Sequence, residues 1–322
     1  MATFDSFKPV VSILCTAYQH APYIRDTIEG FLAQRTNFPF EIIIHDDAST
    51  DGTREVLMYY QNTYPNIIKC ILQHENQHGK ERGRVAKILY GAARGEFLAL
   101  CEGDDHWIDE HKLQRQVDAL RQDVHAIGCF TDAFNEREHQ RQRYMDGYAS
   151  APKGVVCQKD IIRGQGIPTC TFLFKHIDLS IFHYYRRLAP VGDAILFTYL
   201  TSFGHLIYQP NVTGVRVIHP GGIYSMRGAV HKLRMHLETL PYMNELSGGK
   251  YPELIAERRR KALNAAWAEA MEKSNQQLAR YVWPLIARDR KAFGWNFTTT
   301  LRNWSKAYMP WLDKLFARIT GS

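Results

Sequence analysis

The sequence predicts a three-layer α/β domain with a mostly parallel sheet, followed by a helical C-terminal region. Three observations carry this. Short apolar runs rich in β-branched residues alternate with segments of helical periodicity. Two of those runs end in carboxylates, at Asp46-Asp47 and at Glu102-Gly103-Asp104-Asp105. From Ala229 onward the character changes: 16 Lys and Arg face 8 Asp and Glu, a net of +8 within a chain of +7. Five of the six tryptophans also lie there. The division therefore falls between residues 1–228 and 229–322.

The elements can be argued in order. Residues 10–15, VVSILC, form a short buried strand. Pro22 suits a first helical turn, and Ile24, Ile28, Phe31 and Leu32 then make one apolar face. Residues 40–45, FEIIIH, form a second strand that delivers Asp46 and Asp47. Asp51 or Thr53 caps the next helix, which carries Val56, Leu57 and Tyr60. Residues 67–72 are a third strand and 85–93 a helix. Residues 96–101 are a fourth strand, and it delivers the acidic stretch CEGDDHW. Asp109 caps a helix with Leu113, Val117 and Leu120 on one side. Residues 194–208 read as a core helix running into a strand, too short and interrupted to span a bilayer.

An apolar content of 45% over 322 residues suffices for a sizeable core. The six cysteines form no CxxC pair, which speaks for reduced thiols and against a zinc site. The N-terminus shows no basic segment leading into an apolar one, so a cytoplasmic location is expected. A dinucleotide oxidoreductase would need glycines after the first strand; Thr16-Ala17-Tyr18-Gln19-His20 has none. No P-loop occurs, and no motif supports nucleic-acid binding. Ligands of open α/β sheets bind at the carboxyl ends of strands, where both acidic clusters lie. Neighbouring carboxylates repel unless a cation offsets them, so the acidic stretch points to a metal, a bound sugar or a cationic partner, with a solvated acidic turn as the alternative. Trp107 is expected to pack and steady the acidic loop. Arg82, Arg84 and Lys87 either contact a diphosphate or form a solvated helix face.

Three segments carry a family resemblance: VSILCTAYQHAPYIRDTIEGFLAQ, FEIIIHDDASTDGTREVL and ARGEFLALCEGDDHWIDEHKLQRQV. IPTCTFLF, PVGDAILF and RVIHPGGIYS add weaker matches. The chain resembles the family 2 glycosyltransferases with their Rossmann-like GT-A fold, over roughly residues 8 to 225. The family's DxD motif stands here as Glu102-Gly103-Asp104, with Glu in the first acidic position. The resemblance implies nucleotide contacts from Thr16, Ala17, Tyr18, Asp46, Asp47, Glu102 and Gly103. It implies Mn²⁺ or Mg²⁺ held by Asp104, Asp105 and His219, and a catalytic base at Asp193, which also suits a helix cap. The spacing from Arg216 to His219 is one residue longer than the usual Arg-x-His.

The activity implied is metal-dependent, inverting transfer of a hexosyl or N-acetylhexosaminyl group. The donor would be a nucleotide diphosphate sugar, a UDP-sugar, and the acceptor a hydroxyl of a glycan or lipid-linked glycan. A non-catalytic nucleotide-sugar or carbohydrate-binding protein of the same fold is the alternative. The basic, Trp-rich region is expected either to dock on the catalytic domain or to meet an anionic membrane surface, which would make the protein peripheral on the inner face. Residues 254–278 read as one helix, and 311–319 as an amphipathic one.

Overall fold

The computed structural model describes residues 8–147, 154–222, 227–288, 293 and 297–309. The elements alternate as expected at first: β1 (Val11–Ala17), α1 (Ile24–Leu32), β2 (Phe40–Asp46), α2 (Thr53–Thr63), β3 (Ile68–Leu72), α3 (Arg84–Ala92) and β4 (Phe97–Glu102). Next come β5 (His106–Trp107), α4 (Lys112–Gln122), β6 (Ala126–Arg137), β7 (Gln140–Arg143), β8 (Val155–Val156), α5 (Gln158–Arg163) and β9 (Leu173–Lys175). The chain continues through α6 (Ser180–Leu188), α7 (Gly192–Leu200) and β10 (His205–Val217). Four helices follow: α8 (Ala229–Leu246), α9 (Pro252–Glu272), α10 (Gln276–Ala287) and α11 (Phe297–Tyr308).

The strands form one mixed sheet in the order β3-β2-β1-β4-β9-β6-β10-β5, with β7 on β6 and β8 on β10. The β3-β2-β1-β4 half is wholly parallel. Strand β9 runs antiparallel between β4 and β6, and β10 runs parallel to β6. Strands β1 and β4 are buried along nearly their whole length, as continuous apolar runs must be when helices cover both faces. Alternate side chains leave opposite faces. Ile13, Cys15, Ile42 and Ile44 pack with α1, α2 and α4. Leu14, Ile43, Leu98 and Leu100 pack with α3, α5, α6 and α7. Ile13, Ile42 and Ile44 are fully buried, each worth roughly 1.5–3 kcal/mol of transfer free energy.

The C-terminal helices dock on this domain. Leu240 and Met243 of α8 belong to the same apolar core as Phe197 and Leu200 of α7. Arg258 of α9 donates to the Ile161 carbonyl of α5 at 2.7 Å. Helices α8 to α11 also build a core of their own. Trp267 and Trp283 lie inside it, with ring centroids 6.3 Å apart. These two tryptophans are therefore packing residues and unavailable to a membrane surface. The single helix expected over 254–278 is two. Ser274 takes a positive φ of 50°, and the Asn275 side chain caps α10 by accepting from Leu278 N–H at 3.0 Å. Among the described residues no helix is long and apolar enough to cross a membrane. The amphipathic segment expected at 311–319 lies outside the described residues.

At the amino ends of the strands, Glu41 is fully buried. Arg94 donates to its Oε2 at 2.9 and 2.6 Å, and Ser12 donates to its Oε1 at 2.6 Å. This cluster fixes the starts of β1, β2 and β4 together. Arg94→Met should cost about 3 kcal/mol by leaving the Glu41 charge unpaired. Urea unfolding checks this; nucleotide affinity, which depends on the opposite edge, should not change.

Candidate active site

Two turns meet at the carboxyl ends of β1 and β2. Asp47 N–H donates to Ala17 O at 2.9 Å. Gln19, at a φ of 58°, donates its backbone N–H to Ser49 Oγ at 2.9 Å and exchanges side-chain bonds with Thr50. His20 N–H donates to Thr53 Oγ1 and Ala21 N–H to Asp51 Oδ2, both at 2.9 Å. Asp46 is buried, and its carboxylate accepts the Ser49 N–H at 3.3 Å. Asp47 is buried too; its oxygens accept from the backbone of Gln77 at 2.6 Å and His78 at 3.0 Å. Both carboxylates thus hold loop backbone in place. Thr16 and Ala17 are the last residues of β1, and Tyr18 beyond them is exposed.

The acidic turn is clamped to this rim. Gly103 N–H donates to Thr16 O at 2.8 Å. Thr27 of α1 donates to Asp105 O at 2.7 Å and lies 3.0 Å from Gly103 O. A Cβ at position 103 would come within 2.9 Å of His20 Nδ1 and of Ile24 Cδ1, so the close approach requires glycine. Trp107 packs edge-on against Phe31 and donates to Cys170 O at 2.6 Å. The buried Lys112 amine sits 4.0 Å from the centre of its ring and donates to Gln116 Oε1 at 2.8 Å. Burial pushes that amine down to about 8.

The acidic side chains then diverge. Asp104 Oδ2 faces two histidines, His219 Nε2 at 3.1 Å and His20 Nε2 at 3.7 Å. Tyr23 packs at a tilt of 40° against His219, with centroids 4.6 Å apart. Asp105 turns the other way, and its Oδ1 accepts the Val217 N–H of β10 at 2.9 Å. Burial, then the Asp104 charge, pushes its carboxyl up to about 7. Glu102 Oε2 is buried without a hydrogen-bond partner. Burial, then repulsion from Asp105, Asp193 and Asp104, holds the Glu102 carboxyl well above the usual carboxylate range.

Asp193 lies in the first turn of α7, with Thr169 Oγ1 donating to its Oδ2 at 3.4 Å. Its side chain is exposed to solvent, although protein packed nearby raises its carboxyl. The Arg186 guanidinium, the Thr169 hydroxyl and Arg216 oppose the rise. Glu102, Asp104, Asp105 and Asp193 therefore share one electrostatic site, with His219 against Asp104. His20, Thr27 and Arg186 were missed from the sequence. His20 and Thr27 follow β1 at the active rim, which was the available signal; Arg186 sits on a helix with no motif to mark it.

A hard divalent ion takes oxygen ligands, and Mg²⁺ usually keeps water or substrate phosphate among them. The excess negative charge and the orphaned Glu102 oxygen suit such an ion. Among the described residues, no three His, Cys, Asp or Glu side chains converge tightly enough to enclose one by themselves. Asp104 and His219 would supply two protein ligands, leaving the remainder to substrate and water.

The family model "Glycosyl transferase family 2" matches residues 12–182. The chain belongs to that family. An uncharacterised protein of Mycobacterium tuberculosis is 44% identical over 122 residues, 37% of this chain and 34% of the relative. A Bacillus subtilis protein, the putative teichuronic acid biosynthesis glycosyltransferase TuaG, is 31% identical over 115 residues, 36% of this chain and 43% of its own. The chain thus matches about a third of the length of the first of these relatives. Staphylococcus aureus TarS, solved with UDP-GlcNAc, superposes with a TM-score of 0.56 at 14% identity, covering 92% of this chain and 90% of that one. Mannosyltransferase PcManGT of Pyrobaculum calidifontis, solved with GDP-Man and Mn²⁺, gives 0.54 at 16%, covering 95% and 88%. At these identities the likeness establishes the fold, which is GT-A, for this family 2 glycosyltransferase.

Asp105 makes the site's charge measurable. Its raised carboxyl means the native state binds a proton between about pH 4 and 7 that the unfolded chain has released. Its contribution to stability therefore falls as pH rises through that window. With chelator present, Asp105→Asn keeps the Val217 bond and removes the charge. Its melting temperature should match the parent near pH 4 and exceed it by about 5 °C at pH 8. A gap that stays constant with pH would refute this.

Proposed function

We propose that this chain is a metal-dependent, inverting glycosyltransferase that moves a hexosyl or N-acetylhexosaminyl group from a UDP-sugar to an acceptor hydroxyl. The acceptor is a glycan or lipid-linked glycan, and the name of TuaG supports a cell-surface polysaccharide. The observation that carries the reading is the nearness of Asp193 to the β4 acidic turn, where the Asp193 charge raises the cost of ionising Glu102.

Thr16, Ala17, Tyr18, Asp46 and Asp47 would seat the nucleoside, with Glu102 and Gly103 beside it. Asp104 and His219 would hold the divalent ion, Asp105 adding charge behind them. When bound, that ion supplies Lewis-acid neutralisation of the departing nucleoside diphosphate. Asp193 takes the proton of the acceptor hydroxyl. The hydroxyl oxygen forms its bond to the anomeric carbon as the carbon–oxygen bond to the diphosphate breaks on the opposite side, which inverts the centre. The proton then passes from Asp193 to solvent, which reaches it. A carboxyl raised above its ordinary range is a stronger base than a free one, which suits this role. Thr169 orients the carboxylate, and the Arg186 charge acts on it.

Asp104→Asn should weaken UDP binding in Mn²⁺ by about tenfold or more and remove most of its metal dependence, without changing the melting temperature of the metal-free protein. Calorimetric titration with and without Mn²⁺ measures this. Undiminished metal dependence would remove Asp104 as a ligand. Asp193→Asn should leave UDP affinity unchanged and lower kcat by about 10²–10⁴. Full transfer by this variant would place the base elsewhere.

A further inference from the structure

A second feature lies beside Asp193 and plays no part in the mechanism above. Helices α3 and α6 enclose a cleft of about 530 Å³ lined by Arg82, Arg84, Lys87, His183, Arg187 and Glu81, among others. Among the described residues Glu81 is the one carboxylate lining it, and Arg187 pairs with it at 2.6 Å. Arg82 donates to Leu188 O at 3.0 Å and, among the described residues, forms no ion pair with a carboxylate. Among the described residues, Arg84 and Lys87 have no carboxylate within ion-pair distance. His183 Nδ1 is buried and unpartnered. The cleft also sits at the amino end of α3, whose first backbone N–H groups add positive potential. Arg82, Arg84 and Lys87, none of them in an ion pair among the described residues, line one cavity beside a helix amino terminus and make a seat for an anion.

Its position says which anion. The Arg186 side chain runs between two glycines. A Cβ on Gly83, in the cleft wall, would meet Arg186 Cγ at 2.6 Å, and one on Gly192 would meet its Nε at 2.5 Å. Asp193 follows Gly192, and the Arg186 charge acts on it directly. The cleft thus adjoins the proposed base, one side chain away. The acidic turn repels a bare phosphate, whereas this cleft attracts one without any metal. We propose that the cleft binds a phosphate group carried by the acceptor, and so holds the acceptor's hydroxyl toward Asp193. This rests on the transferase reading above and narrows its acceptor to a phosphate-bearing one.

Glucose 1-phosphate serves as the probe and methyl glucoside as its uncharged control, with binding followed by calorimetry. Two conditions are needed: saturating UDP with Mg²⁺, which fills the donor site, and EDTA, which removes the metal. Glucose 1-phosphate should bind under both, and the glucoside under neither. In Arg84→Gln/Lys87→Gln its affinity should fall by at least about tenfold, since two charge-assisted contacts are removed. UDP affinity and melting temperature of this variant should equal the parent's. Three results would overturn the proposal: displacement of the sugar phosphate by UDP, which would make the cleft the donor's own phosphate site; undiminished binding by the double variant; or equal binding of the glucoside. Failure of UDP itself to bind the parent would count against the transferase reading instead, so the two are distinguished.

Discussion

Strand β1 lies between β2 and β4, and its register sets Thr16 beside His45 on one side and Glu102 on the other. Everything at the active rim depends on this pairing. It brings the carboxyl ends of three strands level, so that Asp46-Asp47 and the acidic turn open onto the same edge. The cross-links then lock the turns: Asp47 to Ala17, Gly103 to Thr16, and Gln19 to the Ser49-Thr50 backbone and hydroxyls. At the opposite edge the buried Glu41–Arg94 pair holds the same strands in step. A slip of β1 by one residue would exchange its two faces as well as its neighbours.

That rigidity matters because the site is electrostatically unfavourable without a ligand. Burial and mutual repulsion raise Glu102 and Asp105 together. Such a cluster persists only where packing over-determines it. Thr27, Trp107 and the Lys112–Gln116 pair beneath provide that support, all of it from side chains that touch no substrate in the proposed mechanism. The acidic turn and the α3–α6 cleft are opposite in character. The acidic turn gathers carboxylates that burial and mutual repulsion make costly to ionise, whereas arginines and a lysine line the α3–α6 cleft. A transferase that handles a phosphate-bearing donor through a metal and a phosphate-bearing acceptor through arginine and lysine would need this asymmetry.

The C-terminal region is held by α8, whose Leu240 and Met243 complete the core under α7. Since α7 carries Asp193, the helical appendage supports the proposed base from behind. Its charge excess made a surface role plausible from composition, but net charge is silent on packing. Trp267 and Trp283 show why: a tryptophan at helical spacing serves a core or a membrane face equally well in sequence, and only the neighbours of its helix decide.

The first half of the fold was legible because each strand is a continuous apolar run and each helix has one apolar stripe, so local pattern and final burial coincide. The acidic clusters were legible for the same reason, as they end those runs. The break at Ser274-Asn275 was not, because a cap competes with helix propensity by a margin that periodicity does not register. The sequence by itself determined the α/β class, the strand ends that bear carboxylates and, through its family segments, Asp104, Asp193 and His219 as candidates. Tertiary structure alone decided that His20 joins His219 at Asp104, that Asp105 turns to Val217, and that α3 and α6 gather their cations beside Asp193. These depend on residues distant in the chain, and the distances between them are set by strand register and helix docking, which no local pattern encodes.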